Sequence, residues 1–152
     1  MPAIEAKAEM LIRRPVGEVF EAFVDPAVTT RIWFTKSSGR LEPGKRVRWD
    51  WEMYGASVEV DVKAVEPNRR ILVEWGAYGA PTTVEWTFTA RADGTTFVSI
   101  VNRGFPGRVE QVATQAISST EGFTLVLAGL KALLEQGVTL HLVGDRFPKP
   151  AE

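Results

Sequence analysis

One stretch near the end of the chain, Arg108 to Gln136 (RVEQVATQAISSTEGFTLVLAGLKALLEQ), constrains the fold of everything before it. At about 100° per residue, Val109, Val112, Ala116, Thr120, Phe123, Leu127, Leu130 and Leu134 fall in one narrow stripe. Glu110, Thr114, Glu121, Ala128, Ala132 and Glu135 fall on the opposite side. Pro106 and Gly107 open the segment, and Gly137 stands where a left-handed C-cap belongs. The pattern predicts one helix across the whole stretch, roughly 43 Å long at about 1.5 Å per residue. A rod of that length crosses an entire domain, and its stripe needs a matching apolar surface. Gly122 and Gly129 lie two turns apart on the flank of the stripe, each lowering helix stability by about 1 kcal/mol against Ala. Close backbone packing is their expected role; room for a ligand or partner is the alternative. Leu125 lies near them and off the stripe, so something is expected to cover it.

The preceding chain supplies the matching surface as strands. From Ala3 to Arg13, Ile4, Ala6, Ala8 and Met10 alternate with Glu5, Lys7 and Glu9, the pattern of a half-buried strand. Pro15 suits a first helical turn, and Val16, Val19, Phe20 and Phe23 make a short helical stripe. Asp25-Pro26 breaks that helix and caps a second one carrying Val28 and Ile32. Trp33 and Phe34 follow as expected core anchors. Glu42-Pro43-Gly44-Lys45 is a turn. Val47, Trp49, Trp51 and Met53 then share one strand face against Arg46, Arg48, Asp50 and Glu52. After Tyr54-Gly55-Ala56, Val58, Val60, Val62 and Ala64 alternate with Glu59, Asp61 and Lys63. Past the turn at Glu66-Pro67-Asn68, Ile71, Val73 and Trp75 alternate with Leu72 and Glu74. A loose loop is expected from Gly76 to Pro81. Val84, Trp86 and Phe88 form the next face, and Asp93-Gly94 is a hairpin turn. The last strand, Thr95 to Asn102, is apolar on both registers, so its inward face is not assignable from pattern.

Consecutive strands with short turns make an antiparallel meander. With one long apolar-striped helix they make an α+β two-layer domain of about seven strands, spanning 1–152 as a single unit. After Gly137, Val138, Leu140 and Leu142 alternate with Thr139 and His141. This tail, 138–152, is expected to lie over the flank holding Leu125, Gly122 and Gly129, or to pair with a second subunit as a homodimer.

Composition narrows the function classes. The net charge of −1 gives no electrostatic case for nucleic acid or an anionic membrane. No signal-peptide pattern and no apolar run long enough for a bilayer is read, so no membrane insertion is expected and a cytoplasmic location is the default. Cysteine is absent, which excludes disulfides, thiolate zinc sites and a cysteine nucleophile. The lone histidine, His141, has no carboxylate at ligand spacing, so no metal site is expected. Asp50 and Glu52 read as a solvated strand face, and Ser118, Ser119 and Thr120 have no histidine to activate them. No phosphate-binding glycine motif occurs, no cofactor is implied, and no catalytic residue is assigned.

Several stretches together resemble a known family. They are RRPVGEVFEAFVDPAVTTRIWF, LEPGKRVRWDW, VEPNRRILVEW, DGTTFVSIVNRGF and STEGFTLVLAGLKALLEQG. Their order and spacing resemble the START-like superfamily, also called SRPBCC or helix-grip proteins. Within it the chain is most similar to homologues of the activator of the heat-shock chaperone ATPase. The resemblance implies a helix-grip fold with a cavity between a curved sheet and the long helix. In that superfamily the cavity binds hydrophobic small molecules such as lipids, sterols or polyketides, and some members catalyse cyclisation or dehydration.

The expected cavity residues are Trp49, Trp51, Met53, Trp75, Trp86, Phe88, Asn102, Phe123 and Leu127; the alternative for Trp49, Trp51, Trp75 and Trp86 is that their indoles simply fill the core. Asn102, with Arg103 beside it, is the leading polar candidate for the cavity mouth, and Glu121 is a second. The expected function is binding or carrying of a small hydrophobic molecule. The alternatives are a cyclase- or hydrolase-like enzyme in the same cavity, and a co-chaperone-type interaction module.

Overall fold

The computed structural model describes residues 3–76, 80–148 and 150. Strand β1 (Ala6–Ile12) is followed by two short helices, α1 (Val16–Val24) and α2 (Pro26–Thr29). Strands β2 (Lys36–Ser37), β3 (Arg46–Trp51), β4 (Ala56–Glu66), β5 (Arg70–Trp75), β6 (Thr82–Ala90) and β7 (Thr96–Arg103) come next. The long helix α3 (Val109–Gln136) and a single turn of helix, α4 (Leu142–Asp145), complete the order. All seven strands form one antiparallel sheet in the order β1-β7-β6-β5-β4-β3-β2. The architecture is α+β, as the periodicities predict. The loop expected from Gly76 to Pro81 lies partly outside the described residues, as does the end of the tail.

The period of two places the sheet's apolar face without ambiguity once the registers are known. Val47 and Trp49, Val60 and Val62, Ile71, Val73 and Trp75, and Val84, Trp86 and Phe88 are all buried. On β7 the inward set is Thr96, Val98, Ile100 and Asn102, while Phe97, Ser99 and Val101 are only half-buried on the other face. A register shift between Val62 and Ala64 marks a bulge in β4, a device that bends a strand.

Helix α3 shares one core with this face through Phe123, Val126, Leu127, Leu130 and Leu133. Its buried side sits about one residue away from the expected stripe. Ser119, Val126 and Leu133 are buried, whereas Thr120 and Leu134 are half-buried and Val109 is 67% exposed. The reason is a second neighbour on the flank: a Cβ at Gly129 would lie 3.7 Å from Cβ of Ile32, so the segment after α2 presses on the helix there. At Gly122 a Cβ would meet nothing within 4 Å. The two glycines therefore differ, one serving close packing and the other opening space.

The helix ends are held by local chemistry. Asp25 accepts from the Ala27 N–H at 3.0 Å and caps α2. At the start of α3, the Arg108 N–H donates to Gln111 Oε1 at 2.7 Å, and Gly137 closes the other end at φ 67°. Near that end Lys131 Nζ donates to Leu11 O at 2.8 Å and to Glu135 at 2.7 Å. Glu135 in turn accepts from the Arg13 N–H at 2.9 Å, tying α3 to the end of β1.

By length and composition α3 could cross a membrane, with a stretch of mean hydropathy 1.3, which the sequence reading did not recognise. In this fold Phe123, Val126, Leu127, Leu130 and Leu133 pack against the sheet, and α3 is the core helix of a soluble protein.

Two measurements check this packing. Leu127 is fully buried, so Leu127→Ala should destabilise the protein by about 2–5 kcal/mol in denaturant unfolding, while Ile117→Ala, at a 70%-exposed position, should change it by less than about 0.5. Similar losses at both sites would contradict the assigned helix face. Burial alone would push the Glu135 carboxyl up, but the Arg13 N–H and the Lys131 ammonium outweigh it and hold the group below the usual carboxylate range. A lowered folded-state value means stability that is present above the ordinary Glu value of roughly 4.3 and lost as pH falls through the folded value. The stability gap between wild type and Glu135→Gln should therefore shrink on acidification through that window, and a gap that widens would refute the pairing.

Candidate functional site

One end of the sheet gathers the ends of β3, β5 and β7 and the starts of β4 and β6. Trp51 closes β3 and Trp75 closes β5, while Thr82 opens β6 opposite Trp75 and Asn102 lies near the end of β7. Trp49 and Trp86 share the same sheet face farther from that end. Trp33, just past α2, sits among them all. Its ring centroid lies 4.9 Å from Trp49, 5.3 Å from Phe34, 5.4 Å from Phe123 and 5.9 Å from Trp75. Most of these pairs are tilted or edge-on, the geometry that the ring quadrupole favours. Phe34 and Trp49 instead stack at 4.5 Å with planes 17° apart.

The rings pack solidly around Trp49 and Trp86 and less completely beyond them. Between the outer rings, α3 and the tail lies a recess of about 430 Å³. Small-molecule sites commonly run from about 300 to 1,000 Å³. Its aromatic wall is Trp33, Trp51, Trp75 and Phe123. Helix α3 contributes Ser118, Ser119, Glu121, Gly122 and Leu125, and Gly122 is where a missing side chain widens the space. A wider dent of about 600 Å³ at the start of α3 is lined only by residues between Pro106 and Gln115, and is an open flank of a single segment.

The tail forms the third side. Val143, Arg146 and Phe147 line the recess, opposite Tyr54. Tyr54 Oη donates to the carbonyl of Val143, and its ring meets Phe147 edge-on with centroids 6.3 Å apart. The Arg146 guanidinium takes both oxygens of Glu121 and sits 4.2 Å over the Phe147 ring. Its hydrogen bonds to the Glu121 carboxylate raise the Arg146 pKa. Leu125 is half-buried on the recess wall with Val143. Within the tail His141 adopts φ 57° and turns the chain into the single helical turn α4, which brings Val143 beside Leu125 and Gly122 on the flank the tail was expected to cover. Val138 and Leu140 are left largely exposed.

A buried polar chain reaches the recess from the sheet. Asn102 is fully buried; its Nδ2 donates to Thr82 Oγ1 at 3.0 Å and to Thr83 O at 2.9 Å. Its Oδ1 accepts from Ser119 Oγ at 2.9 Å. By contrast the indole N–H groups of Trp75 and Trp86 are buried with no hydrogen-bond acceptor. The rings of Trp33 and Phe123 lie beside both indoles, and an aromatic ring is only a weak acceptor for an N–H.

The structure thus separates the residues expected at a cavity. Trp51, Trp75 and Phe123 stand on the recess wall, and Asn102 lies behind it through Ser119. Trp49, Trp86, Phe88 and Leu127 are in the packed core, with Phe88 between Phe20 and Phe23. Met53 leaves the strand face altogether. Residues Glu52–Tyr54 form a 3-10 turn that ends the alternation, and Met53 instead lines a small recess of about 100 Å³ near Gly144. Arg103 points to the solvated sheet face, where it pairs with Glu85 at 3.0 Å. Trp33, Tyr54, Ser119, Val143, Arg146 and Phe147 carry no periodic signal for a site, because tertiary contacts alone bring them together.

The comparisons with known proteins agree with this architecture. A family model described as "Activator of Hsp90 ATPase homolog 1-like protein" matches residues 13–135. A solved protein of Staphylococcus saprophyticus is 33% identical, covering 90% of this chain and 96% of its own, with a TM-score of 0.77. DynU16 of the dynemicin biosynthetic locus is 26% identical with a TM-score of 0.74, matching 91% of this chain but 49% of its own length. The Aha1 dimer from Colwellia psychrerythraea is 15% identical over 88% of this chain and 98% of its own, with a TM-score of 0.73, a likeness of fold alone. No curated protein matches the chain. With most of its length matched by the family model, the chain belongs to the family of activator of Hsp90 ATPase homolog 1-like proteins, within the START-like (SRPBCC) superfamily.

Proposed function

We propose that this protein binds or carries a small hydrophobic molecule, as one domain in the cytoplasm, in the recess between the outer tryptophans, α3 and the tail. The observation that carries the reading is the aromatic wall of Trp33, Trp51, Trp75 and Phe123 facing a gap at Gly122. Apolar walls with a few placed polar groups are the usual make-up of small-molecule sites. An enzymatic reading has less to work with: the titratable groups among the lining residues are Tyr54, Glu121 and Arg146, and the last two neutralise each other. The interaction-module reading draws on the family's description and on the exposed Val109 and Ile117 of α3, which a second copy or another protein would have to cover.

Thermal-shift measurements with a panel of uncharged one- and two-ring aromatic compounds test the reading. Wild type should be stabilised by at least part of the panel, following mass action. Gly122→Phe should fold normally, because nothing stands within 4 Å of that Cβ, and should lose the stabilisation by filling the gap. Binding that survives Gly122→Phe, or no response across the panel, would overturn the proposal.

The tail acts as the outer wall of the same site. Arg146→Ala together with Tyr54→Phe removes the side-chain ties to Glu121 and Val143. Amide exchange over 142–147 should accelerate and acrylamide should quench tryptophan emission more strongly, with the melting temperature little changed. Unaltered exchange would show that other contacts hold the tail.

A further inference from the structure

Hydrogen-bond bookkeeping around Asn102 fixes what the recess offers a visitor. A peptide carbonyl only accepts, so the atom of Asn102 that lies 2.9 Å from Thr83 O must be the amide nitrogen. That nitrogen's second hydrogen goes to Thr82 Oγ1 at 3.0 Å. The remaining amide atom facing Ser119 is therefore the oxygen, which cannot donate. Ser119 must donate across the 2.9 Å contact, and its one hydrogen is spent there. Ser119 lies on the recess wall, 3% exposed, so it presents lone pairs and no proton. The direction of this chain is set by a backbone atom of β6, and a ligand cannot reverse it without breaking buried bonds.

Charge narrows the visitor further. Glu121 and Arg146 both line the recess and are paired at two contacts, so neither offers a free charge. The wall itself consists of flat rings. Building on the ligand-binding reading above, we infer that the recess selects an uncharged, flat aromatic molecule bearing a phenol-type hydroxyl, which donates its hydrogen to Ser119 Oγ. An acceptor-only group at that point, an ether or a carbonyl, would set two sets of lone pairs against each other.

Titration calorimetry at neutral pH with 2-naphthol, 2-methoxynaphthalene, naphthalene and 2-naphthoate tests this. The naphthol should bind roughly three- to ten-fold more tightly than its methyl ether, the ratio expected for one neutral hydrogen bond. The naphthoate should bind more weakly than the naphthol. In Ser119→Ala the ratio of naphthol to methyl ether should fall to about one, with naphthalene affinity retained. Because Ser119→Ala also strips Asn102 of its donor, which costs stability, the ratio measured within wild type stands as an independent test. Equal affinities for the naphthol, the ether and naphthalene in wild type, or tightest binding of the naphthoate, would overturn the hydroxyl assignment and leave the aromatic recess standing. No binding by any of the four would overturn the ligand-binding reading itself.

Discussion

The fold depends on one contact: the buried side of α3 laid against the inward face of a seven-stranded antiparallel sheet. Leu127 and Leu130 on the helix and Val47, Val60, Ile71, Val73, Val84, Val98 and Ile100 on the strands are all essentially inaccessible to water. Burial of apolar surface on this scale is the dominant favourable term in folding. The polar ties at the ends, Lys131 to Leu11 and Glu135 to Arg13, fix where along the sheet the helix ends. With the helix anchored there, its other half crosses towards the strand ends that carry Trp51 and Trp75.

What the helix cannot do is fill both ends equally. At Gly129 it comes close enough for Ile32 to occupy the space a side chain would need, whereas at Gly122 the space stays open. Trp33 acts as a wedge between the two regimes. On one side it packs with Trp49, Phe34 and Trp86, and on the other it borders the recess. The solvated face of the sheet has a different logic. There Arg70 reaches Glu66 and Glu85, Arg103 reaches Glu85 and Glu5, and Arg46 reaches Asp61. Hydrogen bonding from Arg70 holds Glu85 below the usual carboxylate range, against the opposing effect of burial. These pairs account for the charged residues that alternate with the apolar ones, and they leave the chemistry of interest to the inward face.

Much of the fold was legible because its periodicities are clean. Strands β3 to β6 alternate along most of their length, α3 keeps a buried stripe from Ala116 to Leu133, and Asp25 and Gly137 stand at the helix ends where their chemistry predicts. The inward face of β7 was not legible, since Phe97 and Val101 are as apolar as Val98 and Ile100; pairing with β1 and β6 decides it. The two-residue strand β2 is too short to carry a pattern. The recess was legible only in outline. Trp49 and Trp51 share a face in sequence, yet one is core and the other is wall, because distance from the strand end is set by register and by what packs above. Tyr54, Arg146 and Phe147 belong to the site through a turn and a tail whose positions no local propensity encodes. Asn102 did stand out as a polar residue ending an apolar strand, and its partner Ser119 did not, because the stripe placed Thr120 inward in its stead.

The central claim is that the five tryptophans divide into a packed inner group and an outer group facing an occupiable space. Indole ¹H–¹⁵N spectra resolve this residue by residue. Adding a saturating uncharged aromatic ligand should shift the Trp33, Trp51 and Trp75 signals and leave Trp49 and Trp86 nearly in place. Shifts of equal size at all five, or movement confined to Trp49 and Trp86, would contradict the account.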